Sequence, residues 1–276
     1  TYGWEWDIVL LKIDNSGEQL WQRIISSEYD DVYENAFSLL ETSDGSLVLS
    51  GRQSDSGESA NVLLLKMDSE GTEVWTKTFA VGTNNSGKSV KETIDGGFII
   101  CGETEVGGSG AQIFLIKTDA DGELVWSNHY GGSGNEAGWD VVQVEDQGFV
   151  AAGYTNTDTN GESDYYVLKT DVDGMIEWET NIGGQYHDQA KGITKTTDGG
   201  YGIIGYTDTQ NGLADFYLVK LGGNGIDPYT GPIWHVSTDG SDDNDGSEDN
   251  PFATIQHGIN ASSYGDTVLV ASGIYS

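Results

Sequence analysis

The sequence predicts an all-β protein. Three observations carry that prediction: a motif that returns along the chain, apolar runs too short for helices, and glycine-rich turns between those runs. The motif reads KIDNSGEQLW from Lys12 to Trp21, KMDSEGTEVW from Lys66 to Trp75, KTDADGELVW from Lys117 to Trp126 and KTDVDGMIEW from Lys169 to Trp178, with a degenerate KLGGNG at Lys220. It recurs at about fifty residues, a period that marks an array of supersecondary units. Other columns keep the phase. A polar residue before each Lys reads Asp7, Asn61, Gln112, Asp164 and Asp215; a turn reads Asp44-Gly45, Asp95-Gly96, Asp146-Gln147-Gly148 and Asp198-Gly199; a glycine read as ending a strand stands at Gly51, Gly102, Gly153 and Gly205.

One period holds four short strands. In the copy between Gly82 and Tyr130 they are read as Gly87 to Thr93, Phe98 to Cys101, Gln112 to Thr118 and Glu123 to Tyr130, bounded by Gly, Asp, Asn and Ser. Asp95-Gly96-Gly97 joins the first two because glycine supplies the positive φ that a hairpin turn needs. Asp119-Ala120-Asp121-Gly122 joins the last two. This second turn has the look of a calcium loop, but its glycine directly follows the second Asp and no Glu stands where the EF-hand pattern requires one, so its carboxylates are read as turn residues. Four antiparallel strands per period form the blade of a β-propeller-like array. Both faces of a blade are then covered, which fits the nearly unbroken apolar runs Val62 to Met67 and Ile113 to Thr118.

The recurrent Trp is read as blade-to-blade packing, ahead of a sugar-stacking platform. The recurrent Lys is read as an ion pair with the Asp two residues on, as in Lys66 and Asp68, locking the turn. The column Glu34, Asn85, Glu136 and Asp188 precedes the first strand of each period. It allows a ring of acceptors holding a cation at a channel mouth, against a default of hydrogen bonds to a neighbouring blade's backbone.

Composition narrows the partners. Twelve Lys and Arg stand against 45 Asp and Glu, a formal charge of −33, so nucleic acid and anionic membrane are excluded as partners for want of clustered cations. No apolar run is long enough for a membrane-spanning helix. Cys101 is alone and is read as a core residue outside any disulfide framework. The four histidines share no column and have no zinc spacing. No catalytic motif and no cofactor-binding motif stands in a credible context.

The repeat stops at residue 222. We read residues 1–221 as blades, 222–232 as a linker and 233–276 as a second domain, with the sequence beginning and ending inside larger folds. After Pro232 come His235-Val236-Ser237, an Asp/Asn/Gly/Ser loop, Asn250-Pro251-Phe252-Ala253-Thr254-Ile255 leading into a short helix, then Thr267 to Ala271 and Gly273-Ile274-Tyr275. Together these resemble the opening of secreted right-handed parallel β-helix proteins of the pectin-lyase-like group. The resemblance implies an N-terminal cap helix and a first coil. Ile255 and Ile259, one helical turn apart, support the helix independently. The blades, through Tyr130-Gly131-Gly132, Asp198-Gly199-Gly200-Tyr201 and Gly205-Tyr206-Thr207, resemble propeller-type repeats of secreted bacterial and archaeal surface proteins. That resemblance implies an extracellular or cell-surface location and carries no catalytic residues.

Two functions follow as expectations. The favoured one is a non-catalytic scaffold or binding region of a larger extracellular protein, its partner a polysaccharide or a protein. The other is an accessory part of a polysaccharide lyase or hydrolase whose active site lies on later coils. The one cofactor candidate is calcium, in the acidic loop carrying Asp239, Asp242, Asp243, Asp245 and Asp249, where the competing reading is a solvated acidic loop.

Overall fold

A computed structural model describes residues 7–25, 32–55, 59–107, 110–157, 159, 162–197, 199–208, 214–222, 233–262, 267–273 and 275. Asp198 and the linker from residue 223 onward lie outside them. The chain divides into two compact units, 1–141 and 142–276.

In the first unit β1 (Ile8–Ile13) pairs antiparallel with β2 (Gln19–Ile25). Then come β3 (Val32–Glu41), β4 (Leu47–Asp55), β5 (Asn61–Met67) and β6 (Glu73–Phe79), and after them β7 (Thr83–Glu92), β8 (Phe98–Glu105), β9 (Ala111–Thr118) and β10 (Leu124–Tyr130). The strand β11 (Glu136–Gln143) crosses into the second unit, which continues with β12 (Phe149–Thr155), β13 (Asp164–Thr170) and β14 (Ile176–Ile182). The strands β3–β6, β7–β10 and β11–β14 form three four-stranded antiparallel sheets of propeller-blade type. Among the described residues before position 222 there is no helix.

The repeat columns have structural causes. Lys and Trp face each other across the last two strands: Lys12 and Trp21, Lys66 and Trp75, Lys117 and Trp126, Lys169 and Trp178 are register partners. The strand β5 shows why its central run Val62 to Leu65 is apolar. Its Val62 and Leu64 join the core shared with Val90, Ile100 and Phe114, whereas Leu63, Leu65 and Met67 join the core shared with Ile8 and Leu49. Alternate side chains from Val62 to Leu65 thus serve opposite neighbours, and no position in that run is left for a polar residue.

Trp75 packs edge-on against Phe98, with ring centroids 6.0 Å apart. Its ring also lies over Gly122, where an added Cβ would meet it at 2.9 Å; Trp21 covers Gly71 in the same way at 3.0 Å. Glycine is therefore demanded twice at these turns, by φ of +75° at both and by the indole above. The turn that looked like a calcium loop is the seat for the preceding blade's tryptophan. Asp119 Oδ1 accepts from Asp121 N at 3.0 Å and Glu123 N at 2.8 Å, closing the turn on itself.

Three sequence expectations change. Lys66 pairs with Asp44 at 3.2 Å, not with Asp68, and Lys117 and Lys169 likewise reach Asp95 at 2.9 Å and Asp146 at 2.6 Å. The lysine ties its strand to the hairpin between the first two strands of the same blade, while Asp68 accepts from Glu70 N and Thr72 N in its own turn. The second change concerns Gly51, Gly102 and Gly205, which lie inside their strands and not at their ends. The third is the edge of the last blade. There β15 (Asp188–Lys195), β16 (Tyr201–Asp208) and β17 (Ala214–Leu221) are followed by β18 (Ile233–Val236), α1 (Ile255–Ala261) and β19 (Thr267–Val270). The expected third strand is not the end of that sheet: β19 pairs antiparallel with β17, on the edge that the Trp strand fills in other blades, and parallel with β18. Val236, Phe252, Val268 and Val270 form the core beside it, with Leu218 of β17 packed against them.

The turn aspartates set an acid limit. Burial alone would raise the Asp95 carboxyl, but hydrogen bonds from Thr93 Oγ1, Lys117 Nζ and Gly97 N hold it at about 2. Thr42, Ser46 and Lys66 lower Asp44 in the same way, and the turn bonds to Thr72 N and Glu70 N lower Asp68. Depressed folded values mean stability that is present above the ordinary aspartate range and lost as pH falls through the folded value. Melting temperature is therefore expected to drop steeply below about pH 4, and a melting curve that stays flat from pH 5 to pH 2 would contradict this account.

Candidate functional site

The first strands β3, β7 and β15 carry a bulge at one repeat position. Register slips between Ala36 and Ser38, between Gly87 and Ser89, and between Ala190 and Gly192, leaving Phe37, Lys88 and Lys191 as the extra residues. The glycine column explains the slip. An added Cβ at Gly51 would lie 1.8 Å from Asn35 O, at Gly102 1.9 Å from Ser86 O, and at Gly205 1.9 Å from Gln189 O. Only glycine lets the first strand's backbone come that close, and a bulge re-aims the side chain that it carries.

In the first unit the re-aimed side chains meet. Lys88 Nζ stands 4.3 Å from the centre of the Phe37 ring and 5.2 Å from that of Trp139, the residue at the same repeat position in β11. A cation between two aromatic faces is held by both ring quadrupoles. Lys88 also pairs with Glu103 at 3.0 Å. Beside it Asp140 accepts from Ser89 Oγ at 2.6 Å and pairs with Lys91 at 3.1 Å. Phe37 remains 45% exposed. Apolar ring surface flanked by a fixed ammonium and carboxylates suits a ligand with both C–H faces and hydroxyl groups.

The column proposed from sequence lies three residues earlier and is buried. Asn85 Nδ2 donates to Ala60 O at 2.7 Å and to Gly82 O at 3.0 Å. Glu136 Oε2 accepts from Gly132 N at 3.0 Å and Asp188 Oδ2 from Gly184 N at 2.8 Å, while Glu34 accepts from Gln53 at 3.1 Å. The default reading of a bond to the neighbouring blade's backbone holds for Asn85 through Ala60 O, whereas Glu136 and Asp188 accept from a backbone N–H four residues back in the connection that leads into their own strand.

A second concavity, of about 570 Å³, lies in the second unit and is lined by Glu145, Asp146, Lys169, Lys195, Thr196 and Tyr201. The equivalent junction in the first unit is closed, because Ser43 N and Oγ donate to the Glu92 carboxylate at 2.7 and 2.8 Å. Glu145 and Lys195 hold those repeat positions here.

The acidic loop folds back on α1. Asp242 accepts from Ala253 N, Thr254 N and Thr254 Oγ1 at 2.8–2.9 Å, and Thr254 in turn caps the helix by accepting from His257 N. Burial works against the charge, but the Thr254 and Ala253 donors and nearby His257 hold the Asp242 carboxyl below its ordinary range. Asp245 accepts from Ser247 N and Oγ. Asp239, Asp243 and Asp249 are exposed. Among the described residues no three His, Cys, Asp or Glu side chains are placed to hold a metal ion.

The bulge column was missed from sequence because its glycines were read as strand ends. The available signal was a glycine inside a β-branched or aromatic run, which marks a bulge or a close backbone approach.

No protein-family model matches the chain, and no curated protein matches it. Solved structures do. A thermostable family-43 glycoside hydrolase aligns at 11% identity over 73% of this chain and 74% of its own, with a TM-score of 0.48. A putative exo-beta-1,3-galactanase from Bifidobacterium bifidum s17 aligns at 13% identity over 98% of both chains, TM-score 0.42. An endo-arabinanase from Bacillus licheniformis aligns at 13% identity over 70% of this chain and 73% of its own, TM-score 0.36.

Proposed function

We propose that the chain is a non-catalytic binding scaffold of an extracellular or cell-surface protein, and that its blades present a saccharide-binding platform at Phe37, Lys88 and Trp139. The bulge column carries this reading. Three consecutive first strands aim an aromatic, a cation and an aromatic at one another, with Glu103 fixing the cation. The arrangement offers stacking area and hydrogen-bonding groups, and it contains no paired acid and base set for bond cleavage. Division into blades at 1–221, a linker at 222–232 and a second domain from 233 belongs to the same proposal.

Calorimetric titration against a panel of neutral and acidic oligosaccharides tests it. Phe37→Ala, at an exposed position, is expected to weaken binding about tenfold, the worth of one lost stacking contact, with melting temperature unchanged. Binding that survives Phe37→Ala and Lys88→Ala together would reject the platform.

One observation favours a second reading. The strands β18 and β19 run parallel with α1 between them, as in the first coil of a parallel β-helix. On that reading the chain is an accessory part of a polysaccharide lyase or hydrolase, and depolymerising activity would appear only when further coils are present.

A further inference from the structure

The second unit contains two aspartates that no role described so far requires to be charged. Asp164 opens β13 and Asp188 opens β15, and their side chains are 1% and 2% exposed. They face one small volume, since an added Cβ at Gly183 would meet Asp164 Oδ1 at 2.4 Å and Asp188 Oδ2 at 2.7 Å. The backbone seam between the two strands runs through them. Asp188 N donates to Ser163 O at 2.7 Å, and Ser163 bridges His187 in parallel. The repeat places Gln112 and Glu136 at the same two positions one junction earlier, and Asn61 and Asn85 two junctions earlier. Asp7 and Glu34 also bring two carboxyl groups to these columns, but Asp7 is exposed, whereas Asp164 and Asp188 are both buried.

We propose that Asp164 and Asp188 together bind one proton in the folded protein, so that the seam they occupy tightens on acidification. Two buried carboxylates this close cannot both ionise cheaply, and their protons come off in steps that belong to the pair. The surroundings add to the cost. Burial raises the Asp188 carboxyl above its ordinary value, against hydrogen bonds from Thr207 and Gly184 N, and Asp164 and Asp208 push it further the same way. Tyr165 and Tyr217 also face the pair and are themselves raised by burial first and by Asp188 among the nearby charges. His187 stands outside it, with Nδ1 on Ser163 Oγ at 3.0 Å and Nε2 against Glu162. A raised folded value means that the native state holds a proton the unfolded chain has released. Stability is then fully present below the ordinary aspartate value and is lost as pH rises through the folded one. This window lies above that of the turn aspartates, so the two effects separate.

The test is melting temperature against pH for the intact chain and for Asp164→Asn with Asp188→Asn, the pair of amides that the repeat itself uses at Asn61 and Asn85. The unaltered protein is expected to gain about 2–4 °C between pH 8 and pH 5, and the double variant to lose that slope. Parallel curves would overturn the proposal. Should the variant fail to fold, carboxyl-carbon NMR titration of the unaltered protein decides it alone. One aspartate in 164 and 188 titrating well above the rest supports the shared proton, and two ordinary titrations reject it.

Discussion

Replacing Trp75 by alanine is expected to lower the stability of the first unit by about 3–5 kcal/mol, the range for removing a large aromatic from a packed site. The indole does two jobs at once. It fills the space over Gly122 in the following blade, and its edge meets Phe98 in the core that joins the two sheets. Around it Lys77 reaches Glu123 at 2.6 Å, so the same strand clasps the same turn through an exposed pair worth little by itself. Chemical denaturation measures the loss. Saccharide binding in the folded fraction is expected to be unchanged, because Trp75 lies in a different column from Phe37, Lys88 and Trp139. A variant that keeps its stability and loses binding would make the tryptophan column the ligand surface instead.

Gly102→Ala is the second large effect, at about 3 kcal/mol, the upper part of the range for overpacking. The added methyl would lie 1.9 Å from Ser86 O and 2.6 Å from the Phe114 ring. Ser86 O belongs to the backbone and cannot swing away, so the bulge at Lys88 must open and Lys88 must leave its place between Phe37 and Trp139. Binding is expected to fall with stability. Gly96→Ala is the control. Its φ is +79° with nothing within 4 Å of the added carbon, so only the backbone term of about 1 kcal/mol is at stake. Equal losses from the two changes would show that the close approach has no energetic weight.

Much of the fold was legible because the repeat fixes local chemistry. Asp-Gly and Asp-x-x-Gly turns, continuous apolar third strands and the Lys and Trp columns each follow from contacts within a blade or with its neighbour, and each recurs in the sequence. What was illegible depended on geometry that spacing does not encode. Lys66 and Asp68 share a strand face, yet Asp68 is consumed by Glu70 N and Thr72 N, which leaves Asp44 as the partner. The platform was hidden for a similar reason. Phe37, Lys88 and Trp139 share no chemistry as a column, and only the bulges beside Gly51 and Gly102 and the ring contacts of Lys88 show that they meet. The docking of β19 on β17 joins positions far apart in sequence with no motif in common. Of the acidic loop, the sequence showed the charge but not that Asp242 is taken up by Ala253 and Thr254.

The most direct measurement is a heteronuclear NMR titration of the unaltered protein with whichever oligosaccharide binds, following the backbone amides and the indole N–H groups. The platform predicts shifts that gather at Phe37, Lys88, Glu103 and the Trp139 indole and that saturate together. Shifts gathered at Trp75 and Trp126, or along Lys195 to Tyr201, would place the ligand elsewhere and contradict the assignment of the bulge column.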